Sequence, residues 1–131
     1  MKNVQYCYRV LFAAAFVLLL STVMPASALA DQDAANDKAQ AAGERAHFAQ
    51  AFCQVPPERV AAYRQRLRKV LHDASDFDRY WQVGWRRAEK DDSQMSALRD
   101  RDPAEFAARI KVNCERLKWM AQNSLRSAPR Q

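Results

Sequence analysis

The chain opens with an unbroken apolar run, Val10 to Leu20, and then changes to a pattern in which apolar residues return every three or four positions. That second rhythm is helical, because residues three and four apart share one face of a helix. No stretch alternates apolar and polar residues for long enough to read as a strand. Ala, Arg, Leu, Gln and Glu dominate, and all tolerate a helix well. The pattern predicts an all-α fold, a small three- to four-helix bundle without internal repeats.

Residues 31–36 are polar and predict a disordered lead-in. A first helix is expected over about 37–53, with Ala42, Ala46, Ala49 and Cys53 on a narrow stripe and Phe48 and Phe52 beside it. Pro56-Pro57 ends that segment and opens the next, since proline is accommodated in a first helical turn. Glu58 then suits the positive end of the second helix, which runs to about His72 with Val60, Tyr63, Leu67, Val70 and Leu71 on its apolar face. Ser75 or Asp76 caps a third helix over about 76–100. Its seam is Phe77, Trp81, Gly84, Ala88, Asp91, Met95 and Leu98, the four-three spacing of packed antiparallel bundles.

Gly84 costs about 1 kcal/mol in a helix relative to Ala, so its place on the seam predicts a close helix approach. Asp91 in the same seam needs a basic partner if buried, which Arg87, one turn earlier, can supply. Asp102-Pro103-Ala104-Glu105 is the sharpest local signal: Asp caps, Pro takes the first helical position, and Glu reaches back from the third. The fourth helix carries Phe106, Ile110, Cys114, Leu117 and Ala121 on one face with Met120 beside it. It fades near Ser124 and leaves 127–131 as a disordered tail. The third and fourth helices are expected to form a long C-terminal antiparallel hairpin.

The apolar run at the start has a different meaning. Lys2 and Arg9 precede it, Pro25 breaks it, and Ala28-Leu29-Ala30 is a small-x-small sequence of the kind signal peptidase reads. Val10 to Ala30 is nearly long enough to span a bilayer, but Ser21, Thr22, Pro25 and Ser27 make its second half polar and kinked. Residues 1–30 are therefore read as a cleaved secretory signal peptide and 31–131 as a single helical domain, with no transmembrane segment after cleavage. The expected location is the periplasm of a Gram-negative envelope, or outside the cell.

Export changes the reading of the cysteines. Cys7 leaves with the signal, and it lies on the wrong side of the apolar run to be a lipoprotein cysteine. Cys53 and Cys114 remain, with one possible pairing, and in an oxidising compartment a disulfide is the default. Closing a loop of roughly sixty residues is worth about 4 kcal/mol in the chain-entropy model. A domain this small buries only about two-thirds of its unfolded surface, so that increment matters. Free buried thiols are the alternative; two cysteines without nearby histidines do not complete a tetrahedral metal site.

Export also lowers the charge. The full chain is +6, and loss of Lys2 and Arg9 takes it down by two, to +4. A moderately basic exported domain suits an acidic partner or an anionic envelope surface. Nucleic acid fits poorly, and no recognition motif for it is present.

Candidate chemistry is sparse. His47 and His72 lie on different helices, and no serine or cysteine nucleophile stands in a recognisable setting. There is no Gly-rich phosphate loop and no His-Glu-x-x-His pair, so no catalytic or metal-binding residue is assigned. Cys-x-x-Cys-His is missing, which excludes covalent haem attachment. His47 or His72 with Met95 or Met120 could ligate haem non-covalently, but neither histidine falls in an apolar stripe and no cofactor is expected.

Two surface features remain. Arg59, Arg64, Arg66, Arg68 and Lys69 cover the polar side of the second helix and make a candidate anionic-surface site. Tyr80, Trp85, Arg86 and Arg87 on the third helix, with Trp119 on the fourth, lie off the apolar faces and make a candidate partner-binding set, Trp and Arg being the residues most enriched at binding hot spots. The sequence thus predicts a small exported non-enzymatic protein that binds a protein partner, in an inhibitor, immunity, adaptor or chaperone role. The alternative is an envelope-surface binder of anionic lipid, lipopolysaccharide or peptidoglycan.

Overall fold

A computed structural model describes residues 26–126. Residues 1–25, with the basic and apolar parts of the expected signal and Cys7, lie outside the described residues, as does the 127–131 tail. Four helices follow one another: α1 (Ala26–Phe52), α2 (Pro57–Val70), α3 (Phe77–Arg101) and α4 (Pro103–Ser124). The expected bundle is observed, with its disulfide between Cys53 and Cys114.

The helices begin and end where local chemistry directs. Asp76 caps α3, accepting the Arg79 amide at 3.3 Å. Asp102 serves two helices. Its amide donates to the Leu98 carbonyl at 2.8 Å and closes α3, while its carboxylate accepts the Glu105 amide at 3.0 Å and opens α4. The reciprocal half of the expected capping box does not form, because the Asp102 amide is already taken. Glu105 instead accepts a hydrogen bond from Arg109 Nε at 2.6 Å. α1 stops where Gln54 enters the left-handed region, φ 57°, ahead of Pro56-Pro57.

α1 is longer than its sequence predicts. Residues 31–36, expected to be disordered, are helical, and Ala35 and Asn36 are buried. Asn36 explains both the fact and the miss. Its Nδ2 donates to Ser75 Oγ at 2.9 Å, and its Oδ1 accepts the Asp76 amide at 3.4 Å. A residue that reads as polar lead-in thus ties α1 to the turn between α2 and α3. Its burial is tolerable because both ends of the amide are satisfied. The expected cleavage point before Asp31 falls in this helix, beyond the exposed turn Ala26–Ala30.

α1 and α3 form the most intimate pair, and glycine sets their approach. A Cβ at Gly43 would fall on the Trp81 carbonyl, and one at Gly84 on the Gln40 carbonyl. The two helices therefore meet backbone to backbone. Around this crossing pack Ala39, Ala42, Ala46, Val60, Leu67, Phe77 and Trp81, with Trp81 and Leu67 almost fully enclosed. The seam of α3 thus closes on α1 more than on α4. α4 has no buried residue at all. It is anchored at points: the disulfide, a Tyr63–Ser124 hydroxyl pair at 2.9 Å, Leu125 against the core, and Phe106 edge-on to Phe52.

Candidate functional site

Because α4 is anchored rather than packed, a groove opens on each side of it. The first, about 550 Å³, lies between α1, α2 and α4. Its floor is aliphatic: Ala46, Ala49, Val60, Leu117, Ala121 and Leu125. Arg45, Arg59, Arg66 and Lys118 also line it, against a single acid, Glu115, and the disulfide forms part of its wall. The second, about 720 Å³, lies between α1, α3 and α4 and has the opposite character. Phe48, Phe52, Met95 and Met120 supply its apolar surface, and three acids, Glu44, Asp91 and Asp92, face two arginines, Arg45 and Arg116.

The basic side of α2 is divided by its neighbours. Arg64 and Arg68 both donate to Asp78 on α3, Arg64 at 2.7 Å. Each guanidinium also lies over an aromatic ring, Arg64 5.6 Å from the centroid of Trp81 and Arg68 5.4 Å from that of Phe77. Two of the five expected surface-binding cations are therefore engaged in holding α2 against α3. Partial desolvation raises the Asp78 pKa, but the hydrogen bonds and charges of Arg64 and Arg68 outweigh it and hold the carboxyl below its ordinary value. Arg59, Arg66 and Lys69 make no ion pair among the described residues, and Arg59 and Arg66 turn to the first groove.

The candidate partner-binding residues are also divided. Tyr80 and Trp85 are half-buried and pack against the core. Trp85 Nε1 donates to Glu89 at 3.2 Å, and Arg87 pairs with Glu44 on α1 at 3.2 Å. Arg87 is therefore not the partner of Asp91, which is exposed rather than buried in the seam. Arg86 is exposed. Trp119 stands out on α4, 65% exposed, with Val112 two turns earlier at 67%.

A second buried polar residue, besides Asn36, escaped the sequence pattern. His47 on α1 is 9% exposed, its ring edge-on to Trp85 at 4.9 Å. Its Nε2 meets Asp92 Oδ2 at 2.9 Å, and its Nδ1 is buried without a hydrogen-bond partner. The stripe spacing contained the signal, since His47 falls four residues after Gly43 and one after Ala46, but a histidine among alanines does not register as apolar. His72, by contrast, is exposed near the end of α2 beside Asp73. Among the described residues no group of three or more His, Cys, Asp or Glu side chains is arranged to hold a metal ion, and no helix is long and apolar enough to cross a membrane.

No protein-family model matches the sequence, and neither a curated protein nor a solved structure shows significant similarity to it.

Proposed function

We propose that this is an exported, non-enzymatic binding protein whose partner is another protein, recognised through the outward face of α4. The observation that carries this reading is the pair Val112 and Trp119. Seven residues apart, they share one face of α4 and are among the most exposed large apolar side chains described. An isolated exposed aliphatic side chain is ordinary. An exposed tryptophan aligned with a second apolar residue on a helix held by few contacts is the arrangement expected of an interface anchor. Ala108, also exposed, continues the stripe, with Glu115 and Arg116 at its flanks.

A photo-crosslinking residue placed at position 119 tests the proposal in an envelope fraction, with the same group at exposed Arg79 as control. A discrete adduct to one protein from position 119 and none from Arg79 is the expected result. Equal, diffuse labelling from both positions would remove this face from consideration. The anionic-surface alternative based on α2 is less well supported, because Arg64 and Arg68 are committed to Asp78.

A further inference from the structure

We infer that the groove between α1, α2 and α4 is a binding site for a free single-chain amphiphile with an anionic head, such as a fatty acid or monoalkyl phosphate. This site is separate from the α4 face proposed above.

The groove combines two properties that such a ligand needs. Its floor is built of small aliphatic side chains from three helices, and its volume of about 550 Å³ falls within the roughly 300–1,000 Å³ typical of small-molecule sites. Four cations line it against one acid, and none of Arg45, Arg59, Arg66 or Lys118 makes an ion pair among the described residues. The contrast within α2 is informative. Arg64 and Arg68 are neutralised by Asp78, while Arg59 and Arg66 meet no such acid and face the groove. Unpaired like charges gathered about an apolar trough repel one another, and an anionic head group relieves that repulsion while its chain covers the floor.

The second groove is an internal comparison. It is of similar size and also partly apolar, but Glu44, Asp91 and Asp92 line it. An anionic amphiphile is therefore steered to the first. The shape selects a free amphiphile over a bilayer surface. The aliphatic side chains are recessed between three helices, where a single chain can enter, whereas a bilayer meets apolar groups that project from a convex surface.

The test is calorimetric titration of the purified disulfide-bonded protein with dodecyl phosphate below its micelle concentration. Decyl phosphate, dodecyltrimethylammonium, inorganic phosphate and phosphatidylglycerol vesicles are the comparison ligands. One-to-one binding of dodecyl phosphate is expected, at least tenfold tighter than dodecyltrimethylammonium. Loss of two methylenes in decyl phosphate weakens binding about fifteenfold, at about fourfold per methylene. Inorganic phosphate gives no measurable heat.

Replacing exposed Arg59 and Arg66 together by Glu abolishes the preference for the anion. Comparison of the two dodecyl ligands on the unaltered protein decides the matter even if that variant does not fold. Equal binding of both head groups, unchanged affinity in a folded double variant, no one-to-one binding of dodecyl phosphate, or binding to vesicles alone would each overturn the inference.

Discussion

Removing the Cys53–Cys114 disulfide should release α4 from the bundle while α1 and α3 stay paired. The two cysteines are 61 positions apart in sequence, and closing a loop of that length is worth about 4 kcal/mol in the chain-entropy model. Against a typical total of about 5–15 kcal/mol for a small domain, that is a substantial share. The loss will not be felt uniformly. α1 and α3 meet backbone to backbone around Gly43 and Gly84 and enclose Trp81. α4 buries no residue fully, and without the disulfide it keeps the Tyr63–Ser124 hydroxyl pair, Leu125, Phe106 against Phe52 and Arg99, and half-buried side chains such as Ile110, Leu117 and Met120.

In a Cys53→Ser, Cys114→Ser protein, amide hydrogens over residues 103–124 should lose protection by about a thousandfold, the factor corresponding to about 4 kcal/mol. The amides at the α1–α3 crossing should remain measurably better protected than those of α4, whereas in the oxidised protein the two sets should exchange at comparable rates through global unfolding. Hydrogen exchange followed by mass spectrometry resolves the two segments. If protection in α4 falls by less than about tenfold, or if all four helices lose protection equally, α4 is held by packing and the reading of it as a pinned strut is wrong.

Three further outcomes follow from individual contacts. Gly84→Ala places a Cβ against the Gln40 carbonyl, where backbone rather than a movable side chain must yield; an overpacking cost of about 1–3 kcal/mol should exceed the gain of about 1 kcal/mol in helix propensity, so thermal unfolding should show a lower Tm despite the better helix former. Asn36→Ala removes the hydrogen bonds to Ser75 and the Asp76 amide and should cost about 1–3 kcal/mol in urea denaturation; an unchanged midpoint would show that the start of α1 contributes nothing to the fold. Asp78→Asn tests the ion-pair layer. The carboxyl's pKa is lowered in the folded protein, so its contribution is complete above the unfolded value of about 3.9 and is lost as pH falls through the lower folded value. Asp78 and Arg68 are about half exposed and Arg64 less so, which limits the effect to about 1 kcal/mol or less, and the Tm difference between the two proteins should shrink steadily below about pH 4; a difference that widens with acid would contradict the pairing.

What the sequence made legible, and what it did not, has one physical cause. The helices from Pro57 onward announce themselves through large apolar residues at helical spacing and through unambiguous punctuation, Pro56-Pro57 and Asp102-Pro103, and their observed limits lie within two residues of those predicted. The disulfide followed from counting, and Gly84 from its place on a seam. α1 was the weak point because its buried stripe is Ala35, Asn36, Ala39, Ala42, Gly43, Ala46 and His47. That stripe is periodic in size rather than in hydropathy. Small residues let α3 approach, and of the two polar ones Asn36 is satisfied at Ser75 and the Asp76 amide, while His47 is met by Asp92 at Nε2 alone. The basic face of α2 was legible as a row of charges, but Asp78 and the rings beneath it, which divide that row, lie in a different helix.

The disulfide and the first groove depend on each other through α4. A helix packed as tightly as α1 against α3 would have left no groove, since side chains of both would interdigitate at close range. A helix without the disulfide would be held to α1 only by looser contacts such as Phe106 against Phe52, and the groove would keep a less constant shape. Cys53 and Cys114 stand in the groove wall itself, beside Ala49 and Leu117, with their Cα atoms 5.6 Å apart. The covalent link thus substitutes for packing at the one place where packing would fill the cavity. On this reading the oxidised state of Cys53 and Cys114 is a condition for the groove as well as for stability. Any ligand that occupies the groove should then stabilise the oxidised protein in proportion to the logarithm of its free concentration, and should lose that effect when α4 is unpinned.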